Sequence, residues 1–149
     1  MRPTVTCICI AALLLSACAH TPDEQRIREA MAAMQQAMEA RQLRDFLAYV
    51  DTDFAGNSGS VSGGSVDRAT LANILRAEVL RNDRIGVSLG PIDVEIQGNR
   101  ATAHVVATLT GGSGGLLPER GAMYSIVSGW KTDGRSWRCY NATWSSDAR

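Results

Sequence analysis

The chain has 149 residues, 15 basic and 15 acidic side chains and a formal net charge of zero, with 45% hydrophobic and 20% charged residues. That length suits a single domain, and the apolar share is that of a packed chain, not a disordered one. The neutral balance leaves no basic surplus to displace counterions from a nucleic acid, so no nucleic-acid partner is expected.

The N-terminus reads as an address. Met1–Arg2 give a short positive start, Val5 to Leu15 are almost unbroken apolar or small residues, and Ser16–Ala17–Cys18 follow. The apolar run fits the central part of a signal peptide and falls short of the roughly 20 residues a bilayer crossing needs. Leu15–Ser16–Ala17–Cys18 resembles the bacterial lipobox. The resemblance implies a signal peptide over 1–17, a lipidated tether over 18–20 beginning at acylated Cys18, and a folded domain over 21–146. Ala19 in place of an aspartate implies sorting to the outer membrane, so the expected location is the cell envelope, on the periplasmic face of that membrane. The membrane itself is then a partner, because a multiply acylated cysteine anchors stably where one chain does not. Cys7 and Cys9 would leave with the signal, so their spacing is no metal site, and Cys139 would be the one free thiol. Losing Arg2 leaves 14 basic against 15 acidic side chains, a formal −1.

Thr21–Pro22–Asp23–Glu24 has the capping-box pattern, with threonine at the N-cap, proline at N1 and glutamate at N3. Ile27, Met31, Met34 and Met38 then recur on one helical face to about Ala40, and the methionines make an adaptable apolar stripe. Leu43, Phe46, Leu47 and Val50 keep helical spacing and predict a second helix closing through Tyr49 to Phe54. Ala55 to Val66, rich in glycine and serine, predicts a loop or irregular hairpin. Asp67 is placed to cap a third helix with Leu71, Ile74, Leu75 and Val79 as its buried face, stopping near Asn82.

Alternation takes over from there. Ile85, Val87 and Leu89 mark a strand that Gly90–Pro91 interrupts. Ile92, Val94 and Ile96 face inward next, and Gly98–Asn99 turn the chain so that Ala101, Ala103, Val105, Ala107 and Leu109 carry the apolar face back. After a glycine-rich connection over Gly111 to Gly121, Tyr124–Trp130 and Trp137–Trp144 form a second hairpin around Asp133–Gly134. Alternation along these strands groups Trp130 with Trp137 on one face and Tyr140 with Trp144 on the other.

Helices followed by a run of strands predict an α+β fold, three N-terminal helices packed on a curved antiparallel sheet. The Phe46…Tyr49…Asp53–Phe54 segment and the closing Ser128–Gly129–Trp130…Asp133–Gly134…Trp137–Arg138…Trp144 hairpin resemble the nuclear transport factor 2-like (cystatin-like) superfamily over nearly all of Thr21 to Ser145. The resemblance implies a cone between helices and sheet. The superfamily holds isomerases, dehydratases and transport adaptors, so the fold alone selects no function.

His104 is the one histidine inside the predicted domain. The Gly98–Asn99 turn sets Asp93 opposite His104, with Glu95 on the diagonal, an arrangement in which a carboxylate orients an imidazole as a general base requires. The same alternation puts this pair on the solvent face of the hairpin, with Thr102 and Thr108 beside it. Ketosteroid isomerases carry a strand carboxylate pointing into the cone, whereas the inward positions here are Ile92, Val94, Ile96, Ala103 and Val105. Asp53 is the remaining candidate acid, with Tyr49 and Tyr124 as candidate donors. Gly111 to Gly115 matches G-x-S-x-G, but Leu116–Leu117–Pro118 follows where a nucleophile elbow needs a helix. No histidine or cysteine pair has metal-ligand spacing, and no cofactor is implied.

These features point to a non-catalytic module that binds a small apolar ligand or an envelope protein, with Met31, Met34, Met38, Phe46, Tyr49 and Tyr124 as its lining. The alternatives are an isomerase- or dehydratase-like enzyme using Asp53, His104 or Asp93, and a structural accessory of envelope assembly pairing as a homodimer through its sheet.

Overall fold

A computed structural model describes residues 21–58, 64–112 and 120–146, so the expectations for the signal peptide, Cys18 and the serine of G-x-S-x-G lie outside the described residues. Helix α1 spans Asp23–Glu39, α2 Leu43–Leu47 and α3 Arg68–Arg81. The strands are β1 (Val50–Ser58), β2 (Ser65–Asp67), β3 (Arg84–Leu89), β4 (Asp93–Gln97), β5 (Arg100–Gly112), β6 (Arg120–Thr132) and β7 (Trp137–Ser146). They form one sheet in the order β2-β1-β7-β6-β5-β3, with β4 continuing the β3 edge of β5 beyond the Gly90–Pro91 break. The α+β layering is the expected one, with a correction: β1 runs parallel to β7, so the curved sheet is mixed.

Helix α1 begins one residue later than its sequence pattern suggests. Pro22 occupies the N-cap, where it cannot use a side chain, and no capping box forms. Asp23 instead accepts from Arg26 Nη1 and Trp137 Nε1, each at 3.0 Å, and so ties the start of α1 to β7. The other end closes on a Schellman motif: Arg41, at φ 61°, donates to Met38 O while Gln42 donates to Ala37 O. The Arg41 guanidinium then reaches the α3 terminus, bonding Val79 O at 2.8 Å and Asp83 O at 3.3 Å.

Helix α2 stops at Leu47, and Val50 to Phe54 is strand, not helix. The helical spacing of Leu43 to Val50 runs past the true end because Val50 meets the same core from a strand. Asp67 caps α3 as expected, accepting from Thr70 N at 2.7 Å. The predicted buried face of α3 is shallower than expected, since no α3 residue is fully buried and Ile74 is 43% exposed.

The Gly98–Asn99 turn gives the register read from the sequence, with Asp93 opposite His104, Glu95 opposite Thr102 and Gln97 opposite Arg100. Gly98 sits at φ 62° in the first turn position, which a side chain would strain. The β6–β7 hairpin carries a bulge at Tyr140, because Trp130 pairs with Cys139 and Gly129 with Asn141. The extra residue reverses alternation along β7. Trp137 and Cys139 face the core before it, and Ala142 and Trp144 do so after it. Tyr140 and Trp144 therefore lie on opposite faces, not together, and the Arg100 guanidinium stacks over the Tyr140 ring on the outer side. The core gathers Ile27, Ala30 and Met31 from α1, Val50 and Phe54 from β1, Ala101, Ala103 and Val105 from β5, and Trp130, Trp137 and Cys139 from the hairpin.

Candidate functional site

Helix α1 lies across the concave face of the sheet, while α3 packs against β1, β2 and α2. Between them the cone holds a chamber of about 230 Å³. Met31, Met34 and Met38 enter it from α1, Phe46 from α2, Val50 and Phe54 from β1, Val105 and Ala107 from β5, and Trp130, Cys139 and Trp144 from the closing strands. Met38, Leu71, Leu75, Leu109, Ile126 and Trp144 also line a wider recess of about 620 Å³ that reaches the surface between α3 and the ends of β5 and β6. The recess is thus the mouth of the chamber. Gly56 lets the Trp144 and Phe54 rings of the wall pack onto the β1 backbone, because a methyl there would meet them at 2.8–2.9 Å.

The polar groups of the inner wall are engaged with the protein. Gln35 Nε2 donates to Val87 O at 2.8 Å, and Ser128 Oγ accepts from Trp130 Nε1 at 2.9 Å. Cys139 Sγ donates to Asn141 O at 3.1 Å, and burial pushes its thiol up to about 12, far from thiolate chemistry at neutral pH. Polar groups gather at the mouth, where Glu78, Asn82, Thr110 and Tyr124 line the rim. Asn82 is buried and its amide donates to Glu78 O at 2.9 Å and Glu78 Oε2 at 3.4 Å.

Of the residues singled out from the sequence, Met31, Met34, Met38 and Phe46 stand on the chamber wall. Tyr124 stands at the mouth, and Tyr49 does not line the chamber: it faces a separate shallow recess with Arg26, Glu29, Arg135 and Trp137. Asp93 and His104 oppose each other on the outer sheet face, both exposed, and Asp53 is exposed on β1, so none of these three enters the cone. Sequence reasoning passed over Asp51, which is buried and accepts from Lys131 Nζ at 2.9 Å and from Asp53 N at 2.9 Å. Burial pushes the Asp51 carboxyl up, but Lys131, the Asp53 amide and Arg138 outweigh it and hold the group below the usual carboxylate range. It also passed over Phe54, Glu78, Asn82 and Trp144. The signal for Glu78 and Asn82 was their i, i+4 spacing from Ile74 and Glu78 on one side of α3. Among the described residues no group of three or more histidine, cysteine, aspartate or glutamate side chains could hold a metal.

No protein-family model matches the chain, and no curated protein matches it. Solved structures do. A nuclear transport factor 2-like protein from Cytophaga hutchinsonii aligns with a TM-score of 0.68 at 12% identity, over 85% of this chain and 99% of its own. A protein with a cystatin-like fold from Novosphingobium aromaticivorans aligns with a TM-score of 0.68 at 19% identity, over 85% and 84%. Another from the same organism, provisionally described as a scytalone dehydratase, aligns with a TM-score of 0.70 at 8% identity, over 84% of each chain. The chain therefore has the nuclear transport factor 2-like, cystatin-like fold. At these identities the likeness speaks to the fold and leaves the chemistry to the residues of this cone.

Proposed function

We propose that this chain is an envelope lipoprotein, anchored through Cys18, whose cone binds a small apolar molecule without transforming it. One observation carries the reading: a chamber of about 230 Å³ walled by methionine, aromatic and aliphatic side chains, whose few polar groups are engaged internally and which opens through a wider mouth. A purely apolar engineered cavity of about 150 Å³ already stays dry and takes up benzene, so a space of this kind favours an apolar guest over water. Small-molecule sites are commonly apolar concavities with a few polar groups setting orientation, which is the distribution between chamber and rim here. The placement of Asp93, His104 and Asp53 outside the cone weighs against the enzymatic alternative through those residues. Turnover would ask for an acid or base inside the chamber, and the one carboxylate near it among the described residues, Glu78, stands at the rim, bonded by Arg81 and Asn82.

Native mass spectrometry of the protein extracted from its own membrane in mild detergent tests both halves of the proposal. The expected spectrum has an acyl mass on Cys18 and a reproducible small-molecule adduct that collisional activation releases. An unacylated Cys18 overturns the anchoring, and an adduct-free protein that also fails to take up added apolar probes overturns the binding role.

A further inference from the structure

Glu78 is the single charged side chain on the walls of chamber and mouth among the described residues. It projects from α3 at the rim, where the apolar walls give way to solvent. Arg81 bonds it from the outer side at 3.0 Å but is 64% exposed and stands off the wall, so solvent screens the cation more than the carboxylate at the rim. Asn82 holds the carboxylate in place. Its amide donates to Glu78 O and Glu78 Oε2, while its carbonyl oxygen packs against Gly111 of β5. The rim therefore carries one formal charge, the Glu78 carboxylate paired outward with Arg81, while the chamber behind it has space and no charge among the described residues.

From this we infer that Glu78 sorts guests by charge: the cone takes a compact aromatic or alicyclic molecule whose polar end is a cation or a neutral hydrogen-bond donor, and disfavours the same skeleton ending in a carboxylate. The inference rests on the proposed binding role and adds the ligand class. A guest lodged apolar end first would leave its head beside Glu78. A second carboxylate there would meet like charge at the edge of a low-dielectric wall, whereas an ammonium or hydroxyl would find an acceptor.

The test uses the full-length protein, matured by its host and held in phosphatidylcholine nanodiscs, with empty nanodiscs as blank. 1-Naphthylmethylamine, 2-naphthol and 2-naphthoate are titrated calorimetrically. The amine and the naphthol are expected to bind, with naphthoate weaker by roughly 3- to 10-fold. Glu78→Gln, at a side chain 44% exposed and so tolerant of change, is expected to close most of that gap, and Glu78→Lys to reverse it. Naphthoate binding as tightly as the amine, or a gap that survives Glu78→Gln, overturns the sorting role while leaving the cavity reading standing. Failure of all three probes to bind overturns both.

Discussion

Asp51 and Ser128 show how single polar groups hold this cone in shape. Asp51 sits where β1 leaves its register with β7, and its carboxylate binds both Lys131 and the Asp53 amide. Its folded pKa is depressed, so its contribution is complete above the unfolded value of about 3.9 and is lost as pH falls through the folded value. Asp51→Asn is therefore expected to lower the urea midpoint at pH 7 and to approach the parent protein as acid protonates Asp51, which urea titrations from neutral to acidic pH measure. Ser128 is the acceptor for the Trp130 indole, a side chain only 1% exposed. Ser128→Ala leaves that N–H buried without a partner and is expected to cost about 1–3 kcal/mol of unfolding free energy by chemical denaturation. Neither residue stood out in the sequence. Asp51 lies in a segment whose aspartates and threonine suggest a turn, and the pairing with Lys131 joins positions that only the folded sheet brings together.

At the scale of elements, local chemistry decided what could be read beforehand. The β4–β5 register was legible because Gly98–Asn99 fixes the turn and alternation fixes the face, and the Asp67 cap was legible because an aspartate must precede the helix it caps. The parallel pairing of β1 with β7 leaves no comparable local mark, and the Tyr140 bulge inverts a face without altering the composition of the strand. Helix α3 is lightly held for its length, with no fully buried residue and Leu80 77% exposed. Arg41 fastens its C-terminal end to the close of α1 through Val79 O and Asp83 O. Arg41→Ala is expected to cost about 1 kcal/mol globally and to raise amide exchange across residues 76–82 ahead of the rest of the domain, as hydrogen-exchange mass spectrometry would show. An exchange increase spread evenly over the sheet would contradict this role.

For the whole molecule, the stripe of α1 and the inward face of β5 marked the apolar surfaces, and the family resemblance implied the cone between them. Its lining was only half legible, because Phe54 and Trp144 reach it through a strand and a bulge that the sequence disguises. Ala107 is 2% exposed and stands on the chamber wall. Ala107→Leu is expected to occupy part of the chamber, weaken naphthol binding about tenfold or more, and leave the thermal midpoint within a few degrees of the parent. Loss of binding together with several kcal/mol of stability would indicate overpacking of a core instead.

Helix α1 also sets a distance. Asp23 lies beside Trp137 at one end of the domain, and Met38 lies at the mouth with Trp144. Fifteen residues of helix at 1.5 Å each separate the two ends by about 22 Å. If Cys18 is acylated as proposed, the leash would join the domain at the Asp23 end, and the doorway would lie at the far end of α1 from that attachment. Under that proposal, a domain held with α1 upright would keep its doorway away from the bilayer, out of reach of a guest sliding sideways from it. In that posture a guest would arrive through open water or from another carrier, and cargo with some aqueous solubility would be favoured over long-chain lipid.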